Sequence, residues 1–377
     1  MWVVAVLVLA VAVIVLLFVI GLLKERRGAP GRHSPKRPSR DSFRQDSDAP
    51  QAPRKRAAVV VNPTKTADVA HLTAQLTAVM AAHGWDTPLV LTTTPADPGP
   101  GQARQAIDAG VDLVCVLGGD GTVRQVAEVL AGGSVPLGLL PGGTGNLLAR
   151  NLQVPKDSLD AAVEIALTGR NLHIDVGWVV LDPDTAASDA APDDGVAPEP
   201  DTAPDPPQRH AFLVMAGLGF DAATMDDTPD ELKARVGWPA YISGGLRNLL
   251  GRRFHTILTV DDGPPQHFRT RTVVAGNCGR LTGGITLMPD AAVDDGLLDL
   301  VVISPKGLAG WAAVAAHVLA QRASKHARLD RFRASTAHVT VDEPQAVQAD
   351  GDVLGEAGSI LLEIVPRSLI VRVSSIP

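Results

Sequence analysis

Apolar and polar positions fall into distinct regimes along the chain. Residues 1–23 are apolar throughout, and the first charged side chain is Lys24. From residue 57 short apolar runs alternate with stretches of helical spacing. Ala57–Val61 reads as a buried strand ended by the turn pair Asn62-Pro63. Residues 67–83 carry Val69, Leu72, Leu76, Val79 and Met80 on one helical face. A strand over 89–92 follows, then a helix over 102–108 closed by Gly110. Next come a strand over 113–117, a helix over 123–131, a strand over 135–140 and a helix opening at Leu147. Strict alternation of strand and helix predicts a parallel sheet with helices on its faces, an α/β fold class.

Two stretches have almost nothing apolar to bury. Residues 24–56 hold 11 Lys and Arg against 4 Asp and Glu, and 182–208 hold 8 acidic residues and no basic one. Both are expected to be disordered, the second as an acidic insert of 182–209 inside a hairpin. About 20 apolar residues span a bilayer as a helix, so 1–23 predicts a transmembrane anchor. The basic flank after it predicts that the rest lies in the cytoplasm, making a single-pass protein of the cell membrane. The net charge is −7 and aromatics make up 3%. Nucleic acid is therefore excluded as a partner that binds by bulk positive charge or stacking. Two cysteines without CxxC spacing exclude a cysteine zinc site.

In open parallel sheets ligands bind beyond the carboxyl ends of the strands. Three loops fall there: Asn62-Pro63-Thr64-Lys65, Gly118-Gly119-Asp120-Gly121-Thr122 and Pro141-Gly142-Gly143-Thr144-Gly145-Asn146. Glycines let backbone N–H groups approach an anion at the next helix N-terminus, so these loops predict a phosphate cradle. Asp120 among such donors suits a metal or a proton. No GxxxxGK[ST] and no His-Arg-Asp occurs, which excludes P-loop and protein-kinase chemistry. Residues 217–222 fit GxGxxA, a weak dinucleotide fingerprint that would make the chain an oxidoreductase.

GGDGT at 118–122, PGGTGN at 141–146 and Asn62-Pro63 resemble the diacylglycerol kinase catalytic-domain family, which includes bacterial lipid kinases and sphingosine kinases. The likeness continues through Gly217 to Ala222, Lys233, Arg235, Gly237, Tyr241, Gly276-Asn277, Gly283-Gly284, Met288-Pro289 and 294–299. It ends at Asp350-Gly351-Asp352, where the family has Asp-Gly-Glu. The resemblance implies an ATP-binding α/β lobe over 57–170 and an antiparallel β-sandwich lobe over 171–377. Strand-like runs over 257–260, 271–275, 298–303, 337–341, 359–365 and 369–373, with one helix over 308–324, agree with that.

The reaction implied is transfer of the ATP γ-phosphoryl group to a lipid hydroxyl, most plainly that of diacylglycerol. Asn62, Pro63, Thr64, Thr93, Thr94, Gly118 to Thr122 and Gly143 to Asn146 would line the ATP site. Asp120 would hold Mg²⁺ or orient the nucleophile, and Lys233 and Arg235 would neutralise phosphate charge. Asp352 would be the general base, one methylene shorter than the family's Glu, with Glu356 as a substitute. Asp295, with the carbonyls of Ala292 and Leu297, would hold a structural Mg²⁺, supported by Asp175. Asp221 would touch the lipid headgroup. The partners expected are a membrane lipid, the bilayer through 1–23, and a second copy in a homodimer. Rival readings are an NAD kinase-like enzyme, which shares GGDGT, and a silent nucleotide-binding regulatory module, suggested by Asp352 in place of Glu.

Overall fold

The computed structural model describes residues 54–66, 68–183, 208–219, 253–280, 286–319 and 329–375. Strands β1 (Ala57–Val61), β2 (Leu89–Thr92), β3 (Leu113–Gly118) and β4 (Leu137–Pro141) form a parallel sheet in the order β2-β1-β3-β4. Every residue of β1 and β3 is buried, as two-sided cover demands. The helices are α1 (Val69–Ala82), α2 (Pro100–Asp108), α3 (Asp120–Leu130), α4 (Leu147–Asn151) and α5 (Leu159–Thr168). Asp68 caps α1 by accepting from His71 N at 3.0 Å. Helix α3 starts at Asp120, three residues before the predicted start, so the GGDGT motif itself forms the helix N-terminus.

Beyond α5 the strands are antiparallel. β5 (Arg170–Leu181) pairs with β6 (Arg209–Phe212), so the acidic stretch does interrupt a hairpin. β7 (Met215–Leu218), β10 (Thr272–Gly276), β11 (Leu298–Ile303) and β12 (Leu329–Ala334) form one layer. β8 (Phe254–Val260) and β9 (Gln266–Thr270) make a hairpin in the other. β13 (Thr336–Ala349) belongs to both. Its first part pairs with β8 and its last three residues with β7, across a bulge between Thr340 and Gln345. The two layers enclose Phe212, Leu218, Leu258, Leu300, Val339 and Leu362. Helix α6 (Gly307–Leu319) covers the outer face with Val314 and Val318. This is a β-sandwich lobe beside an α/β lobe.

Residues 359–365 and 369–373 do not form two strands. They belong to one strand, β14 (Asp352–Val373), which pairs with β13, β5 and, at Val371↔Leu137, with β4. Pro366-Arg367-Ser368 reads as a turn, yet the strand passes through it as a bulge. Arg367 has φ 52°, and its N–H is taken by buried Asp175 at 2.6 Å. The two lobes therefore share one continuous sheet.

The membrane expectation is corrected. Among the described residues no helix is long and apolar enough to cross a membrane. A single-pass protein of the cell membrane is unsupported, and the anchor at 1–23 lies outside the described residues. The expected tether also ends sooner than residue 56. Arg56 N donates to Asp112 at 2.8 Å, Lys55 O accepts from Asp86 N at 2.8 Å, and Lys55 lies 5.9 Å above Trp85.

Candidate functional site

The three loops meet at the carboxyl edge of the parallel sheet. β1, β3 and β4 end side by side, and their register continues outward. Asn62 N donates to Leu117 O at 2.9 Å and Gly142 N to Gly118 O at 3.2 Å. Asn62 then turns the chain by accepting from Thr64 N at 3.0 Å and Thr64 Oγ1 at 2.8 Å. Its amide nitrogen points across to Thr122 Oγ1, 3.4 Å away. Thr93 is buried at the end of β2, with its N–H on Val61 O at 2.9 Å. Thr94 accepts from Asp97 N at 3.0 Å in the next turn. Asn62, Pro63, Thr64, Thr93 and Thr94 thus sit along one rim.

The two glycine loops touch backbone to backbone. A Cβ on Gly143 would lie 2.7 Å from Gly119 Cα and 3.1 Å from Asn146 Oδ1. Asn146, at φ 48° ψ 48°, closes its own loop. Its Oδ1 accepts from Gly143 N at 3.0 Å and its Nδ2 donates to Gly143 O at 2.7 Å. Asn serves here because it tolerates the left-handed region and carries both donor and acceptor. Arg150 Nε donates to Gly145 O at 2.6 Å from inside α4.

Asp120 links the loops. Its Oδ1 accepts from Leu147 N at 2.6 Å and so caps α4 from the start of α3. Its other oxygen lies against Gly145. Burial pushes the Asp120 carboxyl up, N–H bonds from Leu147 and Asn146 pull it down, and the charge of Asp352 raises it further. This side chain is a structural stitch between the motifs, whatever else it does.

Asp352 reaches the same place from 232 residues beyond Asp120. Its carboxylate packs on Gly121, with Oδ2 2.6 Å and Oδ1 2.9 Å from the position a Cβ would take there. The delivering turn is fixed by Asp350, whose carboxylate accepts from Leu213 N at 2.8 Å and from Val214 N and Met215 N at 2.9 Å each. Burial pushes Asp350 up to about 6 in spite of those bonds. It is Asp352, rather than Glu356, that packs on the loop. Glu356 pairs with Ala346 in the ladder and is exposed.

Sequence reasoning missed Arg124. It is 5% exposed and its Nη2 lies 3.0 Å from Asp352 Oδ2. The signal available was an Arg one helical turn after Asp120 of GGDGT, but its partner lies 228 residues away.

Two expectations fare differently. Asp175 is fully buried and holds Gly296 N at 2.7 Å as well as Arg367 N, so it serves as a backbone clasp. Asp295 accepts from Leu297 N at 3.0 Å and is ion-paired with Arg333. Both its oxygens already hold donors, so a Mg²⁺ bound there with the carbonyls of Ala292 and Leu297 would have to displace the Arg333 pairing. Among the described residues no group of three or more His, Cys, Asp or Glu could hold a metal ion. Lys233, Arg235 and Asp221, with Gly237, Tyr241, Gly283 and Gly284, lie outside the described residues. The GxGxxA match is no dinucleotide fingerprint. Gly217 lies in antiparallel β7, where a side chain would strike Val273 O.

A parallel-sheet lobe with glycine loops at its carboxyl edge, joined to a β-sandwich that supplies a carboxylate, defines a two-lobed nucleotide-binding protein. Residues 56–179 match the diacylglycerol kinase catalytic domain, and 214–373 match the YegS C-terminal NAD kinase beta sandwich-like domain. The chain thus combines a match to the diacylglycerol kinase catalytic domain with a match to the YegS C-terminal domain, and the curated relatives it resembles are named diacylglycerol kinase and probable lipid kinase YegS-like. It is 26% identical over 305 residues to a diacylglycerol kinase of Bacillus subtilis (strain 168), covering 80% of this chain and 91% of that one. It is 31% identical over 213 residues to a probable lipid kinase YegS-like of Yersinia pestis (strain Pestoides F). That match covers 54% of this chain, which spans 61% of the relative's length. The fold is similar to a crystal structure of a diacylglycerol kinase from Bacillus anthracis str. Sterne. The TM-score is 0.59 at 22% identity, over 85% of this chain and 97% of that one.

Proposed function

We infer that this protein transfers the γ-phosphoryl group of ATP to the hydroxyl of a lipid, diacylglycerol in the first instance, to give phosphatidate. The observation that carries the reading is the Asp352 carboxylate beside Gly121 of the glycine loop. It supports a base placed next to a phosphate cradle. Backbone N–H groups of 119–122 and 143–146 would hold the phosphates, with Asn62 and Thr122 at the rim. The lipid oxygen gives its proton to Asp352 as the new O–P bond forms and the bond to the β-phosphate oxygen breaks, releasing ADP. Positioning and charge stabilisation do most of the work in such transfers. Mg²⁺, implied by the match to a kinase domain, would supply charge neutralisation at the phosphate oxygens when bound with the nucleotide. We assign it no protein cage.

The test is purified protein with labelled ATP, Mg²⁺ and a panel of lipids and NAD. Label in phosphatidate or another phospholipid is expected. Label in NADP would move the assignment to an NAD kinase-like enzyme, and ATP binding with no transfer would favour a silent module. Asp352→Asn should lower the transfer rate by about 100-fold or more. A variant that turns over at the wild-type rate would remove Asp352 from the reaction.

A further inference from the structure

We propose that Arg124 is the positioning residue for Asp352, holding the shortened side chain in place of the reach that a Glu would supply. The inference rests on the phosphotransfer reading above. A base one methylene shorter sits about 1.5 Å further from its target, and a base works within about 3 Å of the proton it takes. Two features compensate.

The first is the turn that carries Asp352. It is pinned by the three N–H bonds to Asp350, and Gly351 has φ 93°. The second is the guanidinium. Arg124 reaches up from α3, buried to 5% exposure, and fixes Asp352 Oδ2 at 3.0 Å. Its Nη1 lies 4.0 Å from Glu128 Oε2, and that oxygen accepts from Ala211 N at 3.1 Å. The brace therefore runs from β6 through Glu128 and Arg124 to Asp352. A buried guanidinium keeps its geometry because its planar fork is costly to strip of partners. With Oδ2 taken, Oδ1 beside Gly121 is the oxygen presented to a hydroxyl. The carboxylate side chain stays 42% exposed, open to an incoming substrate. Orientation of this kind acts on the rate rather than on nucleotide affinity.

The experiment compares wild type, Arg124→Gln, Arg124→Lys, Asp352→Glu and the double variant Arg124→Gln/Asp352→Glu. For each, kcat and the KM for ATP are measured with the lipid found in the panel, alongside the urea midpoint and phosphate released to water. Arg124→Gln should lower kcat by about 10- to 100-fold with the KM for ATP within about threefold of wild type. Arg124→Lys should recover part of that loss. In the Asp352→Glu background, where the longer side chain needs no brace, removing Arg124 should cost less than about threefold. A wild-type kcat in Arg124→Gln would overturn the proposal. So would an equal loss in both backgrounds, or a loss that only follows the urea midpoint. If Arg124→Gln does not fold, Arg124→Lys alone and in a further double variant, Arg124→Lys/Asp352→Glu, decides by the same comparison. A wild type that releases phosphate to water but labels no lipid overturns the lipid reading, and Arg124 is then judged on the hydrolysis rate. A wild type silent on both overturns both.

Discussion

Gly143 and Asp120 show how little space the two loops leave each other. A methyl on Gly143 would have to part the loops at Gly119 Cα. Gly143→Ala should therefore weaken ATP binding about tenfold or more by titration calorimetry, since overpacking a tight contact costs about 1–3 kcal/mol. Asp120 separates into two functions. Asp120→Asn keeps an acceptor for Leu147 N–H, whereas Asp120→Ala leaves that donor bare. The Ala variant should lose about 1–3 kcal/mol in urea unfolding and the Asn variant much less. Both should lose transfer if the charge also serves the reaction. At this scale the glycine loops were legible because each motif is local: strand, glycines, helix. The brace on Asp352 was not. Arg124 and Asp352 are 228 residues apart, and Asp350 and Val214 are 136 apart. No pattern within a window of the sequence carries those pairings.

The elements were legible where both faces of a strand are covered. β1, β3 and β4 read as unbroken apolar runs and fold as such. β9 and β12 escaped notice because they lie at open edges. Their sequences, QHFRT and LDRFRA, carry charges that blunt a free edge. β14 was divided at Pro366 because a proline within a run reads as an end. The strand survives there because Asp175, a hundred and ninety-two residues away, accepts the Arg367 N–H. Removing that acceptor should loosen two places at once, the bulge and the Gly296 turn. Asp175→Ala should cost about 3 kcal/mol, taking about 1–3 kcal/mol for each stranded donor. The urea midpoint should fall with the slope unchanged. A midpoint equal to wild type would mean that water replaces the carboxylate without loss.

Across the whole molecule, charge and burial set the response to pH. Burial pushes Asp299 up to about 6, against the pull of Arg333, and Asp350 likewise to about 6. A carboxyl whose folded pKa lies above its unfolded value near 4 holds its proton longer in the folded state. Its contribution is complete below about pH 4 and is lost as pH rises through about 6. The stability of wild type relative to Asp299→Asn should fall between pH 4 and 6.5 and be level above that. A wild-type stability that rises relative to Asp299→Asn over this range would reverse the sign.

The ladder between β5 and β14, from Arg170↔Val373 to Leu181↔Ile360, also bears on how the polypeptide could be divided. The boundary between the two matched domains, 179 to 214, looks like a natural place to cut. Yet β5, all but its last two residues, falls before it and β14 after it. Two polypeptides, 54–183 and 208–375, would each carry a bare strand edge, and each made alone should aggregate. Made together they should zip along that ladder and bring Asp352 back to Gly121. The protein would then behave as a split enzyme, with returned phosphotransfer reporting that its halves had met.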